Sequence, residues 1–148
     1  MGRVHAALAS AALALALDAG SASAAECTVA EQHTIADELP RLTTWSAIYA
    51  HVKTYTPRCD DGWMAEGYSD TVVKMLAKRW ARVEDLARLA RRDRAFRAFV
   101  LRHVDATTDL GDLRRVAANA GRRCPPGLEE LCGAVAKAAK DALKETAD

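Results

Sequence analysis

The sequence predicts an all-α fold: a compact bundle of six or seven short amphipathic helices with two disulfides. Three observations carry that expectation. Beyond residue 25, apolar side chains recur with a helical period, and no stretch sustains the alternation of a strand. Capping residues and prolines punctuate the chain, leaving roughly two to six residues between successive helices, as in compact helical domains. Four cysteines, Cys27, Cys59, Cys124 and Cys132, stand at or near those boundaries. No clean internal repeat is visible, which places a helical solenoid second.

Residues 1–25 read as a cleaved signal peptide. Arg3 supplies a charged start, Ala6 to Leu17 is uncharged and apolar, and Ala22-Ser23-Ala24 offers the small residues a signal peptidase accepts, with cleavage after Ala24 or Ala25. The apolar run is shorter than the roughly 20 residues a bilayer span requires. Residues 26–148 are therefore expected to form a single exported domain, periplasmic or extracellular, with no transmembrane segment. In an oxidising compartment four cysteines are expected as two disulfides. Zinc would need closely spaced pairs such as C-x-x-C, which the chain lacks, and neither a metal nor another cofactor is implied.

A Thr28-x-x-Glu31 capping box opens the first helix, which runs to Leu39 and stops at Pro40. Thr43 or Thr44 opens the second, where Trp45, Ile48, Tyr49, Val52 and Tyr55 share one narrow arc before Pro57. The short connection predicts an antiparallel pair, which brings Cys27 beside Cys59. Cys124 and Cys132 flank a Pro-Pro-Gly turn and are paired with each other on the same reading. Sequence alone leaves the other connectivities open.

The stretch CDDGWMAEGYSD, Cys59 to Asp70, crowds carboxylates around a glycine, a tryptophan and a tyrosine. It reads mainly as the start of a third helix, capped by Asp60 and Asp61 and reaching about Trp80. Met64, Ala65, Tyr68, Val72, Val73, Met75, Leu76 and Trp80 form its inward half. Glu66, Asp70, Lys74 and Lys78 descend the other side at i+4 steps, acids first, an order that the helix dipole and side-chain pairing both favour. Gly67 costs about 1 kcal/mol relative to Ala, so a neighbouring helix or a partner is expected to approach the backbone there. Next, Val83, Leu86, Ala87 and Ala90 make one stripe. Asp93 then caps a helix whose inward arc holds Ala95, Phe96, Phe99, Val100, His103 and Val104. Thr107 or Thr108 opens the following helix, with Leu110, Leu113, Val116, Ala117 and Ala120 inward and Gly121 as its C-terminal cap. The last, Leu128 to Leu143, buries Leu131, Cys132, Val135, Ala139 and Ala142.

Catalytic candidates are sparse. Glu66 and Asp70 lie one turn apart, but a general acid needs an apolar pocket and their face is polar. His103, within an apolar stripe, reads as a buried neutral imidazole bonded to a backbone carbonyl. Asp105 or Asp109 is the neighbour able to orient it, and Ser69 or a threonine is the hydroxyl that a catalytic role would need. Trp63 and Ala65 interrupt the alternating oxygen ligands of a calcium loop, and Gly67-Tyr68-Ser69 lacks the second glycine of a nucleophile elbow.

Charge is uneven. Residues 25–70 hold three basic and eight acidic side chains, whereas residues 74–102 hold ten basic and three acidic. The second group places Arg88, Arg91 and Arg92, with Arg94 and Arg102, outside the apolar stripes, a positive face able to steer toward an acidic protein, anionic lipid or an envelope polymer. Nucleic acid is disfavoured by a pI near 7.7 and by Phe96 and Phe99 facing inward. In size, export, helicity and disulfide count the chain is similar to small periplasmic proteins that act by binding, inhibitors and immunity proteins among them. That likeness is of class only. The expected function is a non-enzymatic binding module for a protein or an anionic envelope component, whose surface runs from Asp61, Trp63, Glu66 and Asp70 toward Arg88, Arg91 and Arg92. The alternative is a small cell-envelope hydrolase using Glu66, Asp70 and His103.

Overall fold

A computed structural model describes residues 26–147, so the leader predicted over 1–25 lies outside the described residues. Seven helices follow in order: α1 (Val29–Glu38), α2 (Trp45–Tyr55), α3 (Gly62–Lys78), α4 (Val83–Arg92), α5 (Arg94–Arg102), α6 (Leu110–Arg122) and α7 (Glu129–Glu145), with 3-10 turns at Leu39–Arg41 and Trp80–Arg82 and no strand among the described residues. One continuous core runs from Ile35 to Ala142. None of these helices is long and apolar enough to cross a membrane.

Local chemistry accounts for most boundaries. Thr28 and Glu31 close the capping box, with Thr28 Oγ1 accepting from the Glu31 amide at 3.2 Å and Glu31 Oε2 accepting from the Thr28 amide at 2.9 Å. Pro40 does not break the chain from helical geometry at once; it sits in the 3-10 turn after α1, where its missing N–H costs nothing. That turn lays Leu39 on α3, and a Cβ added to Gly67 would lie 2.7 Å from Leu39 Cδ1. The backbone approach expected at Gly67 is thus made by a neighbouring element of the same chain.

Both disulfides join the expected partners, Cys27 to Cys59 and Cys124 to Cys132, with Cα atoms 4.9 and 6.0 Å apart. Such bonds belong to an oxidising compartment. The first ties the start of α1 to the segment leading into α3, and the Arg58–Glu31 ion pair spans the same junction. At its far end α3 is held by α6. Asn119 Nδ2 donates to the carbonyls of Leu76 and Ala77 at 3.0 and 3.1 Å, satisfying the orphaned end of the helix, and Trp80 Nε1 donates to the Arg123 carbonyl at 2.7 Å.

Several predicted boundaries move, each for a local reason. Only Asp61 caps α3, accepting from the Gly62 amide at 2.7 Å, while Asp60 turns into the interior. α3 stops at Lys78, two residues short, because Trp80 opens a 3-10 turn. α6 is capped by Asp109, which accepts from the Asp112 amide at 2.8 Å. Thr107 and Thr108 cannot do so, since both hydroxyls are bound to Asp105. Gly121 lies inside α6, which ends at Arg122, and the glycines with positive φ are Gly62 and Gly127. Leu110, at the first position of α6, is 38% exposed rather than inward, and Ala95 also faces solvent.

Replacing Cys27 and Cys59 by Ser should lower stability by roughly 3–4 kcal/mol, and replacing Cys124 and Cys132 by about 2.5 kcal/mol, because the longer loop restricts the unfolded chain more. Urea midpoints of the two double variants check the order; equal losses would remove the first disulfide as the larger staple.

Candidate functional site

The residues named from sequence fall on two sides of α3. On the outer side Glu66 is exposed, and Asp70 accepts from Lys74 Nζ at 2.6 Å in an open i,i+4 pair. On the inner side Tyr68 and Ser69 are fully buried. His103 joins the inner side, so the three catalytic candidates are not brought together.

His103 does not meet a backbone carbonyl through its side chain, as expected from sequence. Its Nδ1 lies 2.9 Å from Ser69 Oγ, and its Nε2 lies 3.0 Å from Asp60 Oδ1, an electrostatic contact rather than an aligned hydrogen bond. Ser69 Oγ in turn donates to Asp105 Oδ2 at 2.5 Å. The hydroxyl has one proton, and the charged acceptor at the shorter distance takes it. His103 Nδ1 is then the donor to Ser69, with Nε2 facing the Asp60 carboxylate. Burial works to raise the Asp60 carboxyl, but His103 and Arg102 outweigh it and hold Asp60 below its ordinary value. Burial opposes ionisation of Asp105 as well, and its bonds from Ser69 and Thr107 prevail, lowering it.

A second chain runs beside the first. Tyr68 Oη lies 3.0 Å from His51 Nδ1, and His51 Nε2 faces Glu38 Oε2 at 3.1 Å. Burial depresses His51 against the pull of Glu38, and burial likewise holds the Tyr68 phenol above its ordinary value. The phenol therefore keeps its proton and donates to a neutral imidazole. Phe99 packs edge-on to Tyr68 at 5.3 Å and against His103 at 4.2 Å, so both histidines sit in one aromatic layer.

The sequence points His103 inward, offers Asp105 or Asp109 and Ser69 or a threonine beside it, reads Asp60 as a cap, and sets His51 apart on another helix. The signal for Asp60 was the doublet itself, because a helix start uses one side-chain cap and leaves the other acid to be explained.

Two grooves open elsewhere. One, of about 680 Å³, follows the outer side of α3 from Trp63 past Gly67, Asp70 and Lys74 to Arg79, walled by Leu39, Pro40 and Leu42. Trp63, at its end, is 49% exposed, whereas Trp45 and Trp80 are buried. The other, of about 610 Å³, lies between α4, α5 and α7 and includes Arg91. Neither is lined by Ser69 or His103. Arg88 is engaged by Asp85, and Arg92 is exposed. Of the surface expected as one strip, Trp63 and Asp70 border one groove and Arg91 the other. Among the described residues one group, Cys27, Glu31 and Cys59, has metal-like spacing. Its sulfurs are bonded to each other and its carboxylate to Arg58, which leaves no free thiolate to ligate.

Comparison with protein-family models, curated proteins and solved structures finds no match to this chain.

Ser69→Ala should cost about 1–3 kcal/mol, because it leaves half-buried Asp105 and buried His103 each short of a partner. Linkage gives the sign for the acids. Asp60 and Asp105 titrate lower when folded, so their stabilisation is complete above the ordinary value of 3.8 and is lost as pH falls through the lowered values. Asp60→Asn should therefore show a flatter decline of urea midpoint between neutral pH and about pH 3. Glu31, held at about 2 chiefly by its bond from Arg58, adds the same slope to both proteins and cancels in the comparison.

Proposed function

We propose that the protein is an exported, non-enzymatic helical module, periplasmic or extracellular, that binds a protein partner through the outer groove of α3. The observation that carries this reading is Trp63. It is the exposed member of three tryptophans, set at the mouth of a groove rather than over the core. A tryptophan offers large contact area at the cost of two side-chain torsions, and such residues dominate interface energies.

The groove has a polarity that a partner would match. Asp61 and Glu66 flank Trp63 in the first turns of α3, Asp70 and Lys74 pair midway along the groove, and Lys78 and Arg79 line its end. Lys78 is already paired with Asp112 at 2.9 Å, whereas Arg79 makes no ion pair with a described residue. A segment laid along α3 with basic groups near Trp63 and an acid near Arg79 is the complementary arrangement. The hydrolase alternative would require Glu66 or Asp70 to act together with His103, and these residues lie on opposite sides of α3.

Capture from envelope extracts with the oxidised protein as bait tests the reading. Trp63→Ala should reduce recovery of the partner at least about tenfold with the melting temperature unchanged, and the wild-type Trp63 emission should become shielded from acrylamide on binding. Glu66→Gln should fold normally. If a His103 or Glu66 variant instead folds normally and abolishes a hydrolytic activity of the wild type on envelope material, the enzyme reading replaces this one.

A further inference from the structure

The second groove carries a separate inference, independent of Trp63, since the two share no lining residue. Its rim holds Arg91 from the end of α4 and Arg94 and Arg97 from α5. Arg97 is neutralised by Glu130 of α7 at 3.0 Å, and Glu130 is the one acid among the lining residues. Arg91 and Arg94 form no ion pair with any described residue. The nearby Asp93 cannot serve them: its carboxylate accepts from Tyr49, Lys53 and the Phe96 amide. The lining therefore carries two uncompensated guanidinium groups. It also includes the first turn of α7, where Glu129 and Glu130 offset the positive end of the helix dipole, so the free positive charge is that of Arg91 and Arg94.

The floor points to the kind of anion. Ala87 and Ala90, with Leu131, line it with methyl groups, and all three are buried by the helices around them. A phosphate headgroup or polymer needs only the cations. A strip of small apolar side chains between arginines fits an amphipathic segment that presents carboxylates on either side of an apolar residue. The chain supplies its own precedent, because the group already seated on Arg97 is a carboxylate from a helix, on a side chain 91% exposed and free to leave. Planar guanidinium forks suit carboxylates in two-point contacts.

We propose that the groove between α4, α5 and α7 is a docking site for an acidic amphipathic peptide segment of a protein partner, with Arg91 and Arg94 receiving its carboxylates and Glu130 competing for Arg97. Loss of Arg91 and Arg94 removes the binding charge, whereas loss of Glu130 frees a third arginine and strengthens binding.

The probe is a synthetic helical peptide of Glu, Ala and Leu with a row of Leu flanked on both sides by Glu, compared with the same peptide carrying Gln for Glu and with phosphatidylglycerol vesicles, titrated against the oxidised protein. The acidic peptide is expected to bind and the Gln peptide not to. Arg91→Gln with Arg94→Gln should weaken binding at least about tenfold. Glu130→Gln should strengthen it several-fold, and Glu84→Gln, which changes net charge equally at an exposed position of α4 outside the groove, should not. Trp63→Ala should leave the affinity unchanged, so failure here and failure at the α3 groove are distinguishable. Absence of peptide binding, equal binding of the Gln peptide, indifference to the double arginine change, equal effects of Glu130→Gln and Glu84→Gln, or binding of vesicles alone would each overturn the assignment.

Discussion

Two hydroxyls set side by side in the interior, on Tyr68 and Ser69, are the constraint around which the bundle is arranged. Consecutive residues of a helix point about 100° apart, so the two must find partners on different elements. Tyr68 reaches His51 on α2, and Ser69 reaches His103 and Asp105 at the end of α5. Each imidazole is then backed by a carboxylate from a further segment, Glu38 at the end of α1 and Asp60 before α3. Apolar contacts are non-directional and tolerate sliding. A buried hydroxyl without a partner costs about 1–3 kcal/mol, and these five directional contacts hold the helices in register.

With its inner side so committed, α3 is fixed at both ends, by Cys59 and Asp60 at the start and by Asn119 at the finish. Its outer side meets the rest of the fold at Gly67 and through the Lys78–Asp112 pair, and between them it stays open. That division makes it a suitable platform, because a side chain such as Trp63 on a restrained helix loses little extra freedom when a partner covers it. The same economy applies around α5, where Asp93 does three tasks as cap and as partner of Tyr49 and Lys53, leaving the adjacent Arg94 unclaimed.

Periodicity made the helices legible, and turn chemistry made the disulfides so: once α1 and α2 are joined by a short link, Cys27 and Cys59 have little choice. Trp63 was only half readable: it falls on the polar arc of α3, yet periodicity allowed it equally to pack under the Cys27–Cys59 hairpin. What periodicity reports is which side of an element is covered, never what covers it. Ser69 lies 34 residues from His103 and 36 from Asp105, and no local pattern connects them. Asp60 looked like a cap because caps are local, whereas its partners, Arg102 and His103, come from another helix. The arginine groove was half visible. A basic run announces itself, but pairing decides which members are free: it removes Arg88 through Asp85 and Arg97 through Glu130, and leaves Arg91 and Arg94 on one groove.

Ser69, His103 and Asp60 are the residue types of a hydrolytic triad, and their geometry runs the other way. In a triad the imidazole accepts the serine proton, and the oxygen faces the space where a substrate sits. Here the proton is claimed by Asp105, the imidazole stands on the donor side of the oxygen, and the Ala65 carbonyl lies 3.0 Å away as a third contact. The serine is 1% exposed. Swinging its hydroxyl toward solvent would take a partner from both Asp105 and His103, at a cost of about 1–3 kcal/mol. The set is therefore most stable with Ser69 closed, and the chemistry that would make a nucleophile instead joins α3 to α5.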